Sequence, residues 1–169
     1  KPGAPFVMIG SNHTNTAKDP DDPKEGVFIF EPTEDIRAPW KRTLISAGMK
    51  SATSEAGQAA PGIFGWGDLE NDGDLDLIVN GDSDDRMFLI EQRDGAFITH
   101  VLDEGIAQGG GAKIVDLDRD GVKELIVTHF EEDKIYIYVN DPAGEYPVST
   151  IGSADAPTPY TPAPKRAEF

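Results

Sequence analysis

Two short acidic segments carry the residue types from which proteins build sites for hard cations. The first spans residues 68–76 and the second spans residues 116–124, 48 residues later. In each segment carboxylates alternate with other residues, and a glycine, Gly73 or Gly121, stands at the sixth position. Calcium takes about six to eight oxygen ligands in a flexible arrangement, and a loop of alternating carboxylates supplies such ligands. The spacing therefore predicts about two calcium sites, one in each loop.

The predicted metal ligands occupy loop positions one, three, five, seven and nine. They are Asp68, Glu70, Asp72, Asp74 and Asp76 in the first loop, and Asp116, Asp118, Asp120, Val122 and Glu124 in the second. Carboxylates crowded in this way repel one another unless a cation lies among them. Glu70 is one methylene longer than aspartate, which predicts a shifted or water-mediated contact. Arg119 and Lys123 flank the second loop and predict a somewhat lower affinity there.

Each acidic loop is followed by a short apolar, β-branched segment instead of a helix. Aligning residues 68–80 with 116–128 gives 7 identities in 13 positions: Asp, Leu, Asp, Gly, Leu, Ile and Val. An EF-hand needs a helix on each side and a bidentate glutamate at the twelfth position, where this chain has Val79 and Val127. The pattern favours strands after both loops.

The similarity between the two segments extends into repeating units of strands. One unit has predicted strands at 62–66, 77–80, 87–91 and 97–102, and the next has them at 111–115, 125–129, 134–139 and 146–151. An earlier unit at 6–10, 27–30 and 40–45 lacks its first strand and its acidic loop. Four-stranded units that recur every ~40–50 residues are typical of β-propellers. We therefore predict an all-β fold of about three units, each a four-stranded antiparallel blade.

Residues 67–79 and 115–127 resemble FG-GAP/VCBS repeats, the calcium-loop propeller blades of integrin α heads and of many secreted microbial proteins. The resemblance covers residues 62–151 and, more loosely, 5–46. It implies a propeller of about seven or eight blades, with each calcium loop between the first two strands of a blade. Three units are fewer than the ~4–8 blades of a closed propeller. Missing blades or other chains are therefore expected to complete it.

The predicted organisation has four segments. They are an incomplete first blade at 1–50, a second blade with a calcium loop at 61–106, a third blade with a calcium loop at 107–153, and a Pro-rich tail or linker at 154–169. Proline cannot donate to a sheet ladder, so the stretch 156–164 is not expected inside a sheet.

The acidic composition of the chain limits which classes of molecule it is expected to bind. Asp and Glu number 31 against 15 Lys and Arg, for a formal net charge of -16. Proteins that bind nucleic acids usually have a basic surface, so nucleic acids are not expected as partners of this acidic chain. The sequence contains no cysteine and no apolar run long enough to span a membrane. Loops of this kind bind calcium best where it is millimolar, which predicts a secreted or extracellular protein.

The topology of a propeller would place the acidic loops on one rim and the remaining loops on the opposite rim, the usual ligand face. The candidate ligand-binding residues on that face are His13, Asp82, Asp85, Gln108 and His129. The two histidines leave a transition-metal site open, although nothing else in the sequence supports one. His100 is expected to be structural. Trp66 is expected to pack between blades, with stacking on a sugar ring as the alternative.

Three functions fit these features. The first is a calcium-binding module for a carbohydrate ligand. The second is the propeller portion of a carbohydrate-active enzyme of the lyase or dehydratase type, with His13, His129 and Lys113 in its site. The third is an adhesion module with a protein ligand, similar to integrin α heads. The sequence has no nucleophile elbow and no phosphate-binding glycine loop, so catalytic residues are unknown and the chain alone is not expected to be an enzyme.

Overall fold

The computed structural model describes residues 6–12, 26–49, 62–82, 84–106, 109–129, 133–140 and 166–168, without side chains at 63, 64 and 166–168. Every regular element in these residues is a strand. The strands are β1 (Met8–Ser11), β2 (Val27–Glu31), β3 (Lys41–Ser46), β4 (Gly62–Gly67), β5 (Asp76–Asn80), β6 (Arg86–Arg93), β7 (Ala96–Glu104), β8 (Gly109–Val115), β9 (Glu124–His129), β10 (Lys134–Tyr138) and β11 (Arg166–Glu168). Within this part of the chain, no helix is long and apolar enough to cross a membrane.

The strands form three antiparallel sheets that follow the order of the chain. The first sheet is β1-β2-β3, the second is β4-β5-β6-β7, and the third is β8-β9-β10-β11. The two apolar segments that follow the acidic loops occupy the same place in their sheets, because Leu77 pairs with Ile90 and Leu125 pairs with Tyr138. The predicted all-β class and its antiparallel four-stranded sheets are confirmed.

The outer strand of the third sheet differs from the prediction. Its predicted strand at 146–151 lies outside the described residues. The place beside β10 is taken by Arg166–Glu168, whose Ala167 pairs with Ile137. The segment 154–169 was predicted to be a Pro-rich tail or linker, and an edge strand at its last residues was not predicted. The physical reason is that the prolines end at Pro164, so the following backbone has N–H groups that can pair with the open edge of β10.

The second sheet lies between the other two and is buried on both faces. Alternate residues along β5 and β6 point in opposite directions. One face packs against the third sheet, in a cluster that includes Ile78 and Leu89 from the second sheet and Tyr136 and Tyr138 from the third. The other face packs against the first sheet, in a cluster that includes Val27, Ile45, Leu77, Val79 and Phe88. The nearly continuous apolar runs of β5 and β6 follow from this double burial.

The second and third sheets approach most closely where β4 meets β8. A Cβ atom added to Gly65 would lie 2.8 Å from the backbone oxygen of Ala112, and one added to Gly67 would lie 2.8 Å from Cβ of Ile114. Trp66, between them, was expected to pack at this contact, and it does not. Its side chain is 65% exposed, with the Lys113 ammonium 5.8 Å from the ring centroid. The two glycines make the contact, and the tryptophan points outward.

The outer faces of the first and third sheets expose apolar side chains. Phe6 and Met8 are exposed on the first sheet and its approach, and Ile135 and Val139 are exposed on and after β10. Isolated exposed apolar residues are ordinary, whereas several on the face of one sheet mark a surface that packs on something else. The stack of three sheets therefore has an apolar face at each end.

Candidate metal centre

The two acidic loops have matching left-handed backbone angles at two positions. Each joins the first strand of a four-stranded sheet to the second, residues 68–75 between β4 and β5 and residues 116–123 between β8 and β9. At the fourth loop position Asn71 and Arg119 have φ angles of 62° and 68°. At the sixth position Gly73 and Gly121 have φ angles of 92° and 93°. These angles lie in the left-handed region that glycine adopts without steric cost, which explains the glycine in both loops.

Hydrogen bonds from the backbone hold the carboxylates in matching places. The first carboxylate of each loop accepts from the glycine N–H, over 3.2 Å from Gly73 to Asp68 Oδ2 and 3.1 Å from Gly121 to Asp116 Oδ2. The residue directly before that glycine is an aspartate in each loop, and its Oδ1 accepts from the N–H two residues later, over 2.9 Å from Asp74 to Asp72 and 2.8 Å from Val122 to Asp120. Side chains of the loop thus help to define its turn.

The ninth-position carboxylate closes each loop from the other side. The Leu69 N–H donates to Asp76 Oδ2 over 2.8 Å, and the Leu117 N–H donates to Glu124 Oε2 over 2.8 Å. Asp76 and Glu124 are both buried at the start of the second strand of their sheets. Both loops are thus closed by a carboxylate that the following strand holds in place.

The second loop brings its carboxylates together. Asp116, Asp118 and Asp120 each place one oxygen so that the three oxygens lie within 4.8 Å of one another. Asp116 Oδ1 is buried and has no hydrogen-bond partner among the residues that the structure describes. A buried carboxylate oxygen without a partner is costly, and a cation is one of the few groups that can satisfy it. The residues therefore fit a hard cation bound by oxygen ligands.

The first loop has a different arrangement of the same residue types. Asp68 accepts from Asp72 N–H through Oδ1 over 3.0 Å, in addition to the bond from Gly73. Asp76 accepts from Gln92 N–H through Oδ1 over 3.1 Å, in addition to the bond from Leu69. Both oxygens of Asp68 and both oxygens of Asp76 are therefore engaged by backbone N–H groups.

Glu70 lies against Asp76 and shares its buried surroundings. Burial and then the neighbouring Asp76 carboxylate raise the pKa of Glu70 to about 8. Burial also raises the pKa of Asp76 above its usual range, against the opposing effect of the bonds from Leu69 and Gln92. The longer side chain of Glu70 is thus directed at the ninth-position carboxylate, where a proton or a cation relieves the repulsion.

Lys123 belongs to the second loop but lies against the first. Its ammonium group donates to the backbone oxygen of Asp68 and is 3.8 Å from Asp68 Oδ2. A second bond joins the loops, because Asn71 Nδ2 donates to the backbone oxygen of Gly121 over 3.0 Å. Sequence reasoning placed the charge of Lys123 at the second loop. Only the close packing of the two sheets brings it to the first.

The candidate ligand-binding residues at the end of the sheets opposite the acidic loops differ in how deeply they are buried. His129 ends β9 with its ring 2% exposed and packed edge-on against Tyr136, at 4.2 Å between centroids. Asp82 is half-buried and Asp85 is exposed. His13 and Gln108 lie outside the described residues. The structure thus makes His129 part of the interior of the third sheet, and the predicted pocket stays a prediction.

A buried polar network on that rim was missed by sequence reasoning. Asn80 is fully buried, accepts from the Gly109 N–H over 3.1 Å and donates to the Arg86 backbone oxygen over 2.7 Å. Asp84 is also buried, and its carboxylate binds the Arg86 guanidinium through two bonds of 2.9 Å. This carboxylate raises the pKa of Arg86. An asparagine that ends a buried apolar strand was the available signal, since such a group needs partners.

A second missed group lies inside the second sheet. Glu91 and His100 are both buried and are joined by a 2.7 Å contact between Oε2 and Nε2, and Arg93 pairs with the other oxygen of Glu91. The structural role predicted for His100 agrees with this position. Glu91 directly follows the apolar residues Leu89 and Ile90, and nothing in this part of the sequence indicated that its carboxylate is buried.

The segment that contains both acidic loops is similar to a known family of repeats. A model of the FG-GAP-like repeat matches residues 68–127. This segment is an FG-GAP-like repeat. The match begins at the first residue of the first loop, contains both loops, and ends within β9. Neither a curated protein nor a solved structure matches the chain significantly.

Proposed function

We propose that this chain is a calcium-stabilised interaction module whose FG-GAP-like sheets are blades of a larger β-propeller. The observation that carries the calcium assignment is the second loop, where three carboxylates converge and a buried oxygen of Asp116 has no hydrogen-bond partner in the described part of the chain. FG-GAP-like repeats are a calcium-binding type of repeat, which supports the same assignment.

Calcium fits this oxygen cluster better than a transition metal. The residues that would hold it are Asp116, Asp118, Asp120 and Glu124, with the backbone carbonyl of Val122. Carboxylate and carbonyl oxygens suit calcium and magnesium, whereas imidazole and thiolate select zinc and copper. Among the described residues, the group that could hold a metal ion consists of aspartates alone. When bound, calcium would supply positive charge that screens the crowded carboxylates and locks the loop between β8 and β9.

The propeller and the extracellular location follow as parts of the same proposal. Stacked antiparallel sheets joined through the β4 and β8 contact are arranged as neighbouring blades would be. The apolar outer faces at Phe6 and Ile135 support the presence of further blades, from this chain's parent protein or from other copies. Open calcium loops of this kind load fully where calcium is millimolar, which supports a secreted protein.

Carbohydrate is the ligand that we propose, because of Trp66. Its indole is 65% exposed beside Lys113 on the strand next to the neighbouring sheet. An exposed indole is a flat apolar surface on which a sugar ring can stack, while Lys113 can donate hydrogen bonds to hydroxyl groups. A protein ligand is the second candidate, favoured by the exposed apolar side chains of the outer sheet faces.

Affinity electrophoresis in gels that contain soluble polysaccharides tests the ligand. We expect the wild-type chain to be retarded by at least one polysaccharide in calcium buffer, and Trp66→Ala to lose that retardation. Trp40→Phe is the matched control, because Trp40 is held within the first sheet's loops by its bond to the Ile36 backbone oxygen and its contact with Phe6. Retardation that persists in Trp66→Ala would move the site elsewhere. No retardation by any polysaccharide would favour the protein ligand.

A further inference from the structure

We propose that the ammonium group of Lys123 is the built-in counter-cation of the first acidic loop, so that the two loops bind calcium unequally. The inference rests on the proposed calcium function and concerns how that function is divided between the loops. The second loop would be the strong site, and in the first loop Lys123 would supply part of the positive charge that a bound cation would otherwise supply.

The contacts of Lys123 carry the inference. Its ammonium group donates to the backbone oxygen of Asp68 and lies 3.8 Å from Asp68 Oδ2. The side chains of Lys123 and Asp68 are only 26% and 25% exposed, so solvent screens their attraction less than at an open surface. A lysine of one loop therefore neutralises the first-position carboxylate of the other loop.

Four carboxylate oxygens of the first loop already accept hydrogen bonds from backbone N–H groups. Asp68 and Asp76 each accept backbone N–H bonds through both oxygens. In the second loop the corresponding Asp116 uses only Oδ2 for its backbone bond and keeps Oδ1 buried without a hydrogen-bond partner from the described residues. The first-position carboxylate therefore keeps an oxygen for a cation in the second loop and not in the first, where the buried oxygen without a hydrogen-bond partner among the described residues is Oε1 of Glu70.

A calcium ion in the first loop would bind beside a like charge. Because Asp68 is its first predicted ligand, the ion would lie within a few ångströms of the Lys123 ammonium, where repulsion between partly buried charges is strong. The ion must displace Lys123 or bind against its charge. We expect the first loop to bind calcium at least tenfold more weakly than the second.

Isothermal titration of the whole chain with calcium chloride, after removal of metal with EDTA, tests the inference. The wild-type chain is expected to show one tight site and a second that is at least tenfold weaker. Lys123→Gln removes the charge but keeps an N–H donor for the Asp68 carbonyl, and it is expected to raise the affinity of the weaker site at least tenfold. Lys123→Arg keeps the charge and is expected to behave as the wild type.

Two further variants make the result specific. Arg119→Asn removes the same charge from the same loop and introduces the residue that stands at this position in the first loop, with nearly the same φ angle. It is expected to leave the weaker site unchanged. Adding Asp72→Asn to Lys123→Gln is expected to abolish the gained site, whereas adding Asp120→Asn is expected to abolish the tight one.

Two equally tight sites in the wild-type chain would overturn the inference, as would a weaker site that Lys123→Gln leaves unchanged. A wild-type chain that binds no calcium would instead overturn the proposed function. In that case the Lys123→Gln variant decides the inference. A calcium site that appears in this variant and is lost when Asp72→Asn is added supports the inference. No calcium binding by Lys123→Gln overturns the inference.

Discussion

At the residue scale, the two acidic loops share their left-handed backbone angles and differ in the hydrogen bonds and charges around their carboxylates. The left-handed angles at positions four and six recur in both loops within a few degrees, at 62° and 68° and at 92° and 93°. What differs is that Lys123 reaches Asp68 and that Glu70 turns toward Asp76. Loops with the same left-handed angles therefore differ in the charges that surround their carboxylates, which is the basis of the unequal affinities that we propose.

Glu70 makes the stability of the metal-free chain decrease between pH 4.5 and about 8. Folding raises its pKa from 4.5 to about 8, mainly through burial. Its neutral form is thus favoured in the folded state, so its stabilising contribution is complete below pH 4.5, decreases as the pH rises toward 8, and is flat above that.

Glu70→Gln is therefore expected to raise the free energy of unfolding in EDTA by about 1 kcal/mol at pH 8 and to have little effect at pH 4.5, after allowance for solvent screening of a half-buried group. Urea denaturation at the two pH values measures this difference. Glu34→Gln, at an exposed carboxylate, is the control. Equal effects of Glu70→Gln on the free energy of unfolding at both pH values would show that folding does not raise the pKa of Glu70.

Gly121 is expected to stabilise the second loop through its backbone conformation. Its φ angle of 93° is unfavourable for any residue with a Cβ atom, although no neighbouring atom lies within 4 Å of the place that Cβ would take. Gly121→Ala is expected to lower the free energy of unfolding by about 1 kcal/mol through backbone strain alone. Gly111→Ala is the control, since the nearest atom to its added Cβ is 3.9 Å away. Similar melting temperatures for both variants would argue against strain at Gly121.

At the element scale, β4 and β8 are the strands that fix how the second and third sheets meet. Glycine at 65 and 67 lets the two backbones approach, and the acidic loops begin directly after these strands. Because the loops are carried by β4 and β8, their mutual bonds through Asn71 and Lys123 depend on that approach. The contact between the sheets therefore positions the loops relative to one another.

Gly65→Ala is expected to disturb this contact. The added Cβ would lie 2.8 Å from the backbone oxygen of Ala112, which cannot move aside as a flexible side chain can. Overpacking of this kind costs about 1–3 kcal/mol. Calorimetry should show a lower melting temperature for Gly65→Ala than for Gly111→Ala. An unchanged melting temperature would mean that the two strands can separate at little cost.

Strand positions were largely predictable from the sequence, whereas contacts between strands were not. The segments 77–80 and 125–129 are apolar runs bounded by a turn, and the structure has β5 and β9 there. The pairing of β10 with Arg166–Glu168 was not predictable, because a three-residue strand after a Pro-rich stretch has no periodicity to read. The position of Lys123 required knowledge of how two sheets pack, which no local pattern contains.

At the scale of the whole molecule, the three sheets form a stack with apolar faces at both ends. The interior of the stack is the second sheet, buried on both sides, and the outer sheets each have one packed face. Sheets of a propeller are packed on both faces, so in the propeller that we propose further blades would cover the exposed side chains at Phe6, Ile135 and Val139.

Self-association is expected to depend on these faces. At high concentration the chain should show a mass above 18.2 kDa in light scattering. Ile135→Lys is expected to shift it toward the monomer, because a charge on that face opposes packing. Ile36→Lys is the control, at an exposed isoleucine outside the strands. Association that Ile135→Lys does not change would assign it to another surface.

The most direct test of calcium stabilisation is calorimetric unfolding of the wild-type chain and of Asp116→Asn/Asp120→Asn, each in about 2 mM calcium and in EDTA. A ligand that binds only the folded chain at about 20 times its Kd adds about 2 kcal/mol, which is about 5 °C for a chain of this size. We predict a rise of that order in the wild-type chain and almost none in the double variant. Equal melting temperatures of the wild-type chain in calcium and in EDTA would contradict the proposal.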